Sequence, residues 1–188
     1  MDIVRIFEDK ETFWCPCYEE DNTEDIFTVL LNKWTDTEYL IDFFKNNIKD
    51  LQDPYWRGIS IDEAVDLVLD EVYYLQEKLI CIAYKNEPDC ADVSMDKIFR
   101  PFKKHNYVIN VEHDNFVKGK LNSLPQMLRI YGIQLEDGNI ILSGGAIKIC
   151  SGMNREHLKK ERERIEELYD FLKHKGINNI DDLKAIEK

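Results

Sequence analysis

Apolar side chains recur along this chain with two different periods, and the change between them divides it. The front half is spaced for helices. Ile26, Phe27, Leu30, Leu31 and Trp34 fall on one helical face, and Tyr39, Leu40, Phe43, Phe44 and Ile48 repeat it behind Thr35 or Asp36 as a cap. Asp53-Pro54-Tyr55-Trp56-Arg57-Gly58 interrupts the run. Ser60 then opens a longer helix, with Glu63 as its reciprocal partner in a capping box. Ile61, Val65, Val68, Val72, Leu75 and Leu79 form one apolar stripe along it. Asp62, Glu63, Asp66, Asp70, Glu71 and Glu77 lie opposite and read as a solvated acidic face. Like charges four apart there cost only ~0.2–0.5 kcal/mol per pair.

Strands frame these helices. At the start, a mixed alternation over 2–7, a polar turn over 8–11 and the β-prone stretch 13–18 predict a short hairpin, with Pro16 marking an edge. After a loop over 85–93, Ser94 is expected to cap one helical turn through Phe99, stopped at Pro101. The period then becomes two. Tyr107, Ile109 and Val111 predict a strand, 127–135 a second, and Asp137-Gly138 a tight hairpin into a third over 139–143. Gly144-Gly145 permits a kink, after which 146–150 continues that strand or forms a fourth. Leu158, Ile165, Leu168 and Leu172 mark a closing long helix that ends at Gly176, and a short fraying helix follows over 181–188. The predicted class is α+β: a helical N-terminal half with a short β-hairpin, then a small antiparallel sheet of three or four strands and the closing helix. The acidic, mainly helical region 1–92 and the α+β region 93–188 are expected to form one compact unit.

Composition removes several alternatives. With 188 residues, 44% hydrophobic and 11% aromatic, the chain has the material for a packed core and is not a disordered tail. No apolar run approaches the ~20 residues of a membrane span, and the first residues carry acids where a signal peptide needs a basic end. Five scattered cysteines make no disulfide framework, so reduced thiols and a cytoplasmic location are expected. The net charge of −12 conceals a division. Residues 1–94 hold 8 Lys and Arg against 23 Asp and Glu, a formal −15; residues 95–188 hold 17 against 14, a formal +3. Within 97–129 the imbalance is sharper, with Lys97, Arg100, Lys103, Lys104, Lys118, Lys120 and Arg129 facing only Glu112 and Asp114. Such a segment suits a polyanion.

The familiar catalytic motifs are missing: no GxxxxGK[ST] loop, GxGxxG, HExxH or GxSxG. Cys15-Pro16-Cys17 lacks metal-ligand spacing and finds no matching Cys/His pair, so neither metal nor other cofactor is expected. His105, His113, His157 and His174 all sit in polar surroundings and read as surface histidines. What remains is the order from Phe99 onward: Lys103-Lys104-His105, a strand, a Lys118-Gly119-Lys120 loop, Leu128-Arg129-Ile130-Tyr131-Gly132, the Asp-Gly hairpin, Gly144-Gly145-Ala146-Ile147-Lys148 and a charged helix.

That order resembles the catalytic-core end of the RelE/HigB-like toxins of bacterial toxin–antitoxin systems, over about the last 80 residues. The resemblance implies a small antiparallel sheet with helices on one face and metal-free cutting of mRNA at the ribosome, by attack of a 2′-hydroxyl on the adjacent phosphate. Such chemistry needs cations around the phosphorane and a proton-transfer group. Arg129 would stabilise the transition state, with Tyr131 or His113 moving the proton or holding a base, while Lys103, Lys104, Lys118, Lys120 and Lys148 neutralise backbone phosphates. The implied partners are mRNA or the ribosome and a cognate antitoxin. Taken singly, Arg129 and Lys148 fit the rim of a half-buried sheet equally well, and Lys118 and Lys120 a solvated loop. The acidic half supports a different class: a non-catalytic interaction protein, of the kind phages and plasmids encode as inhibitors or regulators, binding a basic protein partner through its acidic helix. Neither reading involves a membrane.

Overall fold

A computed structural model describes residues 1–18, 24–84, 90, 93–95, 99–101, 108–111, 126–151 and 154–186. Strand β1 (Asp2–Arg5) turns back antiparallel on β2 (Phe13–Cys17), which gives the expected hairpin. Three helices follow: α1 (Ile26–Thr35), α2 (Thr37–Asn46) and the single turn α3 (Ile48–Leu51). Asp25 caps α1 by accepting from Thr28 N, and Asp36 caps α2 by accepting from Glu38 N and Tyr39 N. A 3-10 turn, Pro54–Trp56, leads into α4 (Ile61–Tyr84). Its capping box forms as spaced: Ser60 N donates to Glu63 Oε2 at 2.8 Å, and Glu63 N donates to Ser60 Oγ at 3.2 Å.

Of the helical turn expected from Ser94 through Phe99, Met95 is helical and 96–98 lie outside the described residues, while Phe99 already belongs to strand β3 (Phe99–Pro101), which pairs with β4 (Val108–Val111). β5 (Leu128–Gln134) and β6 (Ile140–Ile147) form the Asp-Gly hairpin, with Gly138 at φ 86°. The chain ends with α5 (Glu156–Lys175), stopped by Gly176 at φ 68°, and α6 (Ile180–Ile186). The molecule is therefore α+β.

All six strands join one sheet in the order β1-β2-β6-β5-β4-β3. This corrects the expected three- or four-stranded antiparallel sheet. The opening hairpin enters it because β2 lies parallel to β6, pairing Phe13 with Ile140 and Trp14 with Ile141, so the sheet is mixed. Parallel neighbours need a long crossover, and here everything from α1 to β5 provides it. Helices cover both faces. α1, α2 and α4 pack on one, burying Leu30, Trp34, Phe44, Val68 and Leu75 with Leu128 and Ile130 of the sheet. α5 and α6 pack on the other, where Leu168, Leu172 and Leu183 meet Trp14, Ile133 and Ile141. Each such side chain contributes about 1.5–3 kcal/mol when fully buried.

Two glycines expected to kink β6 serve these layers instead. The strand runs through them. A β-carbon on Gly144 would collide with the Glu161 carboxylate of α5; one on Gly145, facing the other way, would stand 2.6 Å from Trp34 of α1. Successive strand residues face opposite sides, so the pair lets both helical layers approach the sheet at one level. The tail helix is docked on the hairpin over its described residues. Ile180 and Leu183 are buried, and Ile180 N donates to Asp137 Oδ2 of the hairpin at 2.8 Å.

Glu71 also departs from its expected place on the solvated acidic face. It is 4% exposed and accepts from Met127 N at 2.9 Å and Leu128 N at 2.6 Å, holding the start of β5. Burial pushes its carboxyl up to about 7, against the pull of those two N–H groups and of Arg129. Cys81 and Cys90, expected as reduced thiols, are joined in a disulfide at the end of α4, their Cα atoms 5.2 Å apart. Among the described residues no helix is long and apolar enough to cross a membrane.

Candidate functional site

Where β5 begins and β6 ends, the sheet opens on a cavity of about 700 Å³. Among the described residues, four segments wall it. The first runs from Lys49 to Trp56 and owes its shape to the break in the apolar pattern. Asp53 Oδ1 accepts from Tyr55 N at 2.9 Å, Pro54 starts the 3-10 turn, and Arg57 ends it at φ 57°. The turn sends its two aromatic rings opposite ways. Trp56 enters the core and donates from Nε1 to the Ile149 carbonyl at 2.8 Å, whereas Tyr55 stays 62% exposed, edge-on to the Trp56 ring at 5.1 Å between centroids.

The second wall is the start of β5. Gln126 is buried there, and its Nε2 has no hydrogen-bond partner among the described residues. Arg129 is half-buried, with Nη1 donating to the Leu128 carbonyl at 2.6 Å. The third wall follows β6. Lys148 N donates to the Met127 carbonyl at 2.7 Å, which carries the β5–β6 pairing one step further and sets Lys148 beside the strand that holds Arg129. Cys150 and Ser151 lie next to it. The last wall is the beginning of α5, where Arg155 is the N-cap residue without a side-chain cap bond. Its guanidinium grips Asp50 with two donors, Nε to Oδ2 at 2.7 Å and a second through Nη2 to Oδ1. That bond and the Asp50 charge raise the Arg155 pKa further.

Charge and shape agree. Among the described residues, Lys49, Arg129, Lys148 and Arg155 face the space with Asp50 and Asp53, a formal +2 in a chain of −12. The volume falls within the roughly 300–1,000 Å³ of small-molecule sites.

Of the residues singled out from sequence, Arg129 and Lys148 come together in this cavity. Tyr131 does not line it: the ring is buried between β5 and α5 with Leu158 and Ile165, and burial raises its phenol pKa, which disfavours a phenolate base. His113, Lys103, Lys104, Lys118 and Lys120 lie outside the described residues. His157 is half-buried, not a surface residue; it faces the Ile147 carbonyl at 3.0 Å and the Phe43 ring, and desolvation lowers its pKa. Sequence reasoning missed Lys49, Gln126 and Arg155, and Tyr55 with them. The signal for Tyr55 was present: an exposed aromatic beside a buried one, held in a Pro-initiated turn.

A second polar cluster lies on the α5 face. Arg164 Nη1 donates to Glu161 Oε1 at 3.2 Å, and its guanidinium carbon stands 4.9 Å from the Tyr18 ring centre. Tyr18 OH donates to the Ser143 carbonyl at 3.0 Å, beside the β5–β6 register slip. Burial pushes the Glu161 carboxyl up to about 7, with Arg164 pulling it back. Among the described residues, no group of three or more His, Cys, Asp or Glu is placed to hold a metal ion. Comparison of the chain with protein-family models, with curated proteins and with solved structures gave no match.

Proposed function

We propose that this protein is a RelE-like translation inhibitor that cuts RNA in the cytoplasm, with the cavity between β5, β6 and α5 as the site of a sugar–phosphate. The observation that supports the reading is the convergence of Arg129 and Lys148, the two strand residues to which the resemblance gives this role, on one basic cavity otherwise set in an acidic chain. In the proposed step the 2′-oxygen bonds to the adjacent phosphorus as the bond to the 5′-oxygen breaks. The 2′-hydroxyl proton passes to a base and the leaving oxygen takes up a proton. Arg129 would neutralise the phosphorane and Lys148 a flanking phosphate. With Tyr131 buried, the proton-transfer role falls to His113, and Lys103, Lys104, Lys118 and Lys120 would track the RNA backbone. A cognate antitoxin would cover the cavity.

The test is expression in a purified translation system with the mRNA ends mapped. Wild type is expected to cut, and Arg129→Ala to lose at least 100-fold of that activity. A folded protein that neither cuts mRNA nor binds ribosomes overturns the reading.

The second reading, a non-catalytic binder of a basic protein, draws on the outer face of α4. Asp66, Asp70 and Glu77 share it with the exposed rings of Tyr73 and Tyr74 and with Ile80. Affinity for such a partner would fall steeply with salt and with Asp66→Lys/Asp70→Lys. Binding indifferent to both would exclude it.

A further inference from the structure

The acidic half contributes more than bulk: it builds one wall of the basic cavity, and that wall has the parts of a base platform. We propose that Tyr55 is a stacking surface for a nucleobase, so that the cavity takes a complete nucleotide unit of single-stranded RNA, base on Tyr55 and phosphate toward Arg129 and Lys148. The inference rests on the reading of the cavity as an RNA site and adds what selects its ligand.

Three observations carry it. The Tyr55 ring is held out of the core by an Asp53-capped, Pro-initiated turn, at 62% exposure, while its neighbour Trp56 anchors the turn through the Ile149 carbonyl. An exposed ring on a rigid turn loses little freedom when a base lies on it, which is the condition for a stacking platform. The ring and the cations stand on different walls of one cavity of about 700 Å³, more room than a bare phosphate needs. Finally, Gln126 in the same lining holds an amide nitrogen that makes no hydrogen bond among the described residues. An unmet buried donor is costly, and a nucleotide supplies carbonyl and phosphate oxygens that a purely apolar ligand lacks.

The experiment is calorimetric titration of the full chain with the four ribonucleoside monophosphates and, separately, with inorganic phosphate. Wild type is expected to bind nucleotide at least 10-fold more tightly than phosphate. Tyr55→Ala should weaken nucleotide binding by about 5- to 150-fold, the range that base–aromatic stacking of ~1–3 kcal/mol implies, and leave phosphate binding unchanged. Tyr55→Phe should retain wild-type affinity. Equal affinity for phosphate and nucleotide, nucleotide binding indifferent to Tyr55→Ala, or no binding of either ligand overturns the proposal. Its failure is separable from that of the ribonuclease. Tyr55-dependent nucleotide binding without mRNA cleavage upholds the platform and removes the enzyme, whereas Arg129-dependent cleavage that Tyr55→Ala leaves intact does the reverse.

Discussion

Two arginine–carboxylate pairs sit within the same α5 helix region and have opposite surroundings. Arg164 and Glu161 are sealed under the sheet, their side chains 5% and 7% exposed. Arg155 and Asp50 meet at the cavity mouth, 52% and 13% exposed. The chemistry of contact is the same, so the difference lies in water. A sealed pair cannot exchange partners, and removing one member strands the other charge in a medium that cannot solvate it. A pair at the mouth of a basic cavity can exchange its carboxylate for a phosphate at little cost. The first belongs to the fold and the second to the site.

Measured at pH 8, above the value of about 7 at which buried Glu161 gives up its proton, Arg164→Ala should therefore have the largest effect, a loss of about 3–5 kcal/mol of stability, read from the shift of a urea unfolding midpoint at constant slope. A loss below about 1 kcal/mol would mean that water already reaches Glu161, and the contrast between the pairs would vanish. The Cys81–Cys90 link provides a covalent scale for comparison. It closes a short loop, with a sequence separation of 9, and its reduction should cost about 2–3 kcal/mol by loop entropy. Thermal unfolding with and without reductant checks this. Because cytoplasm keeps thiols reduced, a protein acting there would work without that contribution.

The pH dependence should be smaller and has a definite sign. Glu161 and Glu71 both hold their proton to about 7 in the folded protein, against an ordinary value of 4.5. Between those values the folded chain binds more protons than the unfolded chain, so raising the pH favours unfolding. The stability each provides is complete below about 4.5, falls as the pH rises to about 7 and is level above it. Glu161→Gln and Glu71→Gln should each flatten the curve by at least about 1 kcal/mol. Arg164 and Lys160 face Glu161, and Arg129 faces Glu71. A wild-type stability that rises from pH 5 to 7 would contradict the burial of both groups.

These carboxylates also show why the sequence was legible only in part. The α4 stripe, its capping box and the Asp-Gly turn are local, set by spacing and by what a turn requires of φ. Glu71 is not local. It stands three residues after Val68 and four before Leu75, on the flank of the apolar stripe, yet its partners Met127 and Leu128 are more than 50 residues away. Gly144 and Gly145 read as a kink because their reason lies in Glu161 and Trp34, on two different layers. The cavity follows the same rule. Arg129 and Lys148 were singled out by the family resemblance, and the hairpin between their adjacent strands brings them to one end of the sheet. Lys49 and Tyr55 reach the cavity only because the front half crosses over to join β2 to β6, a parallel pairing that no periodicity announces.

Asp50→Asn tests the open pair directly and should alter stability least. An exposed ion pair contributes about 0–1 kcal/mol, so the unfolding midpoint should barely move. Binding should move more. With Asp50 neutral, Arg155 is released at the start of α5 and one negative charge leaves the cavity, so affinity for single-stranded RNA should rise several-fold at low salt. The dependence on salt should steepen as well, because each additional phosphate neutralised releases about 0.7 of a counterion from a single strand. Arg155→Ala should cancel that gain when added to Asp50→Asn, which separates a freed guanidinium from a general change in charge. Glu161→Gln removes the same charge from the sealed pair and should leave RNA binding unaltered. If Asp50→Asn unfolds the protein, or if both substitutions change RNA binding alike, access to water does not distinguish the two pairs, and the cavity mouth is part of the scaffold.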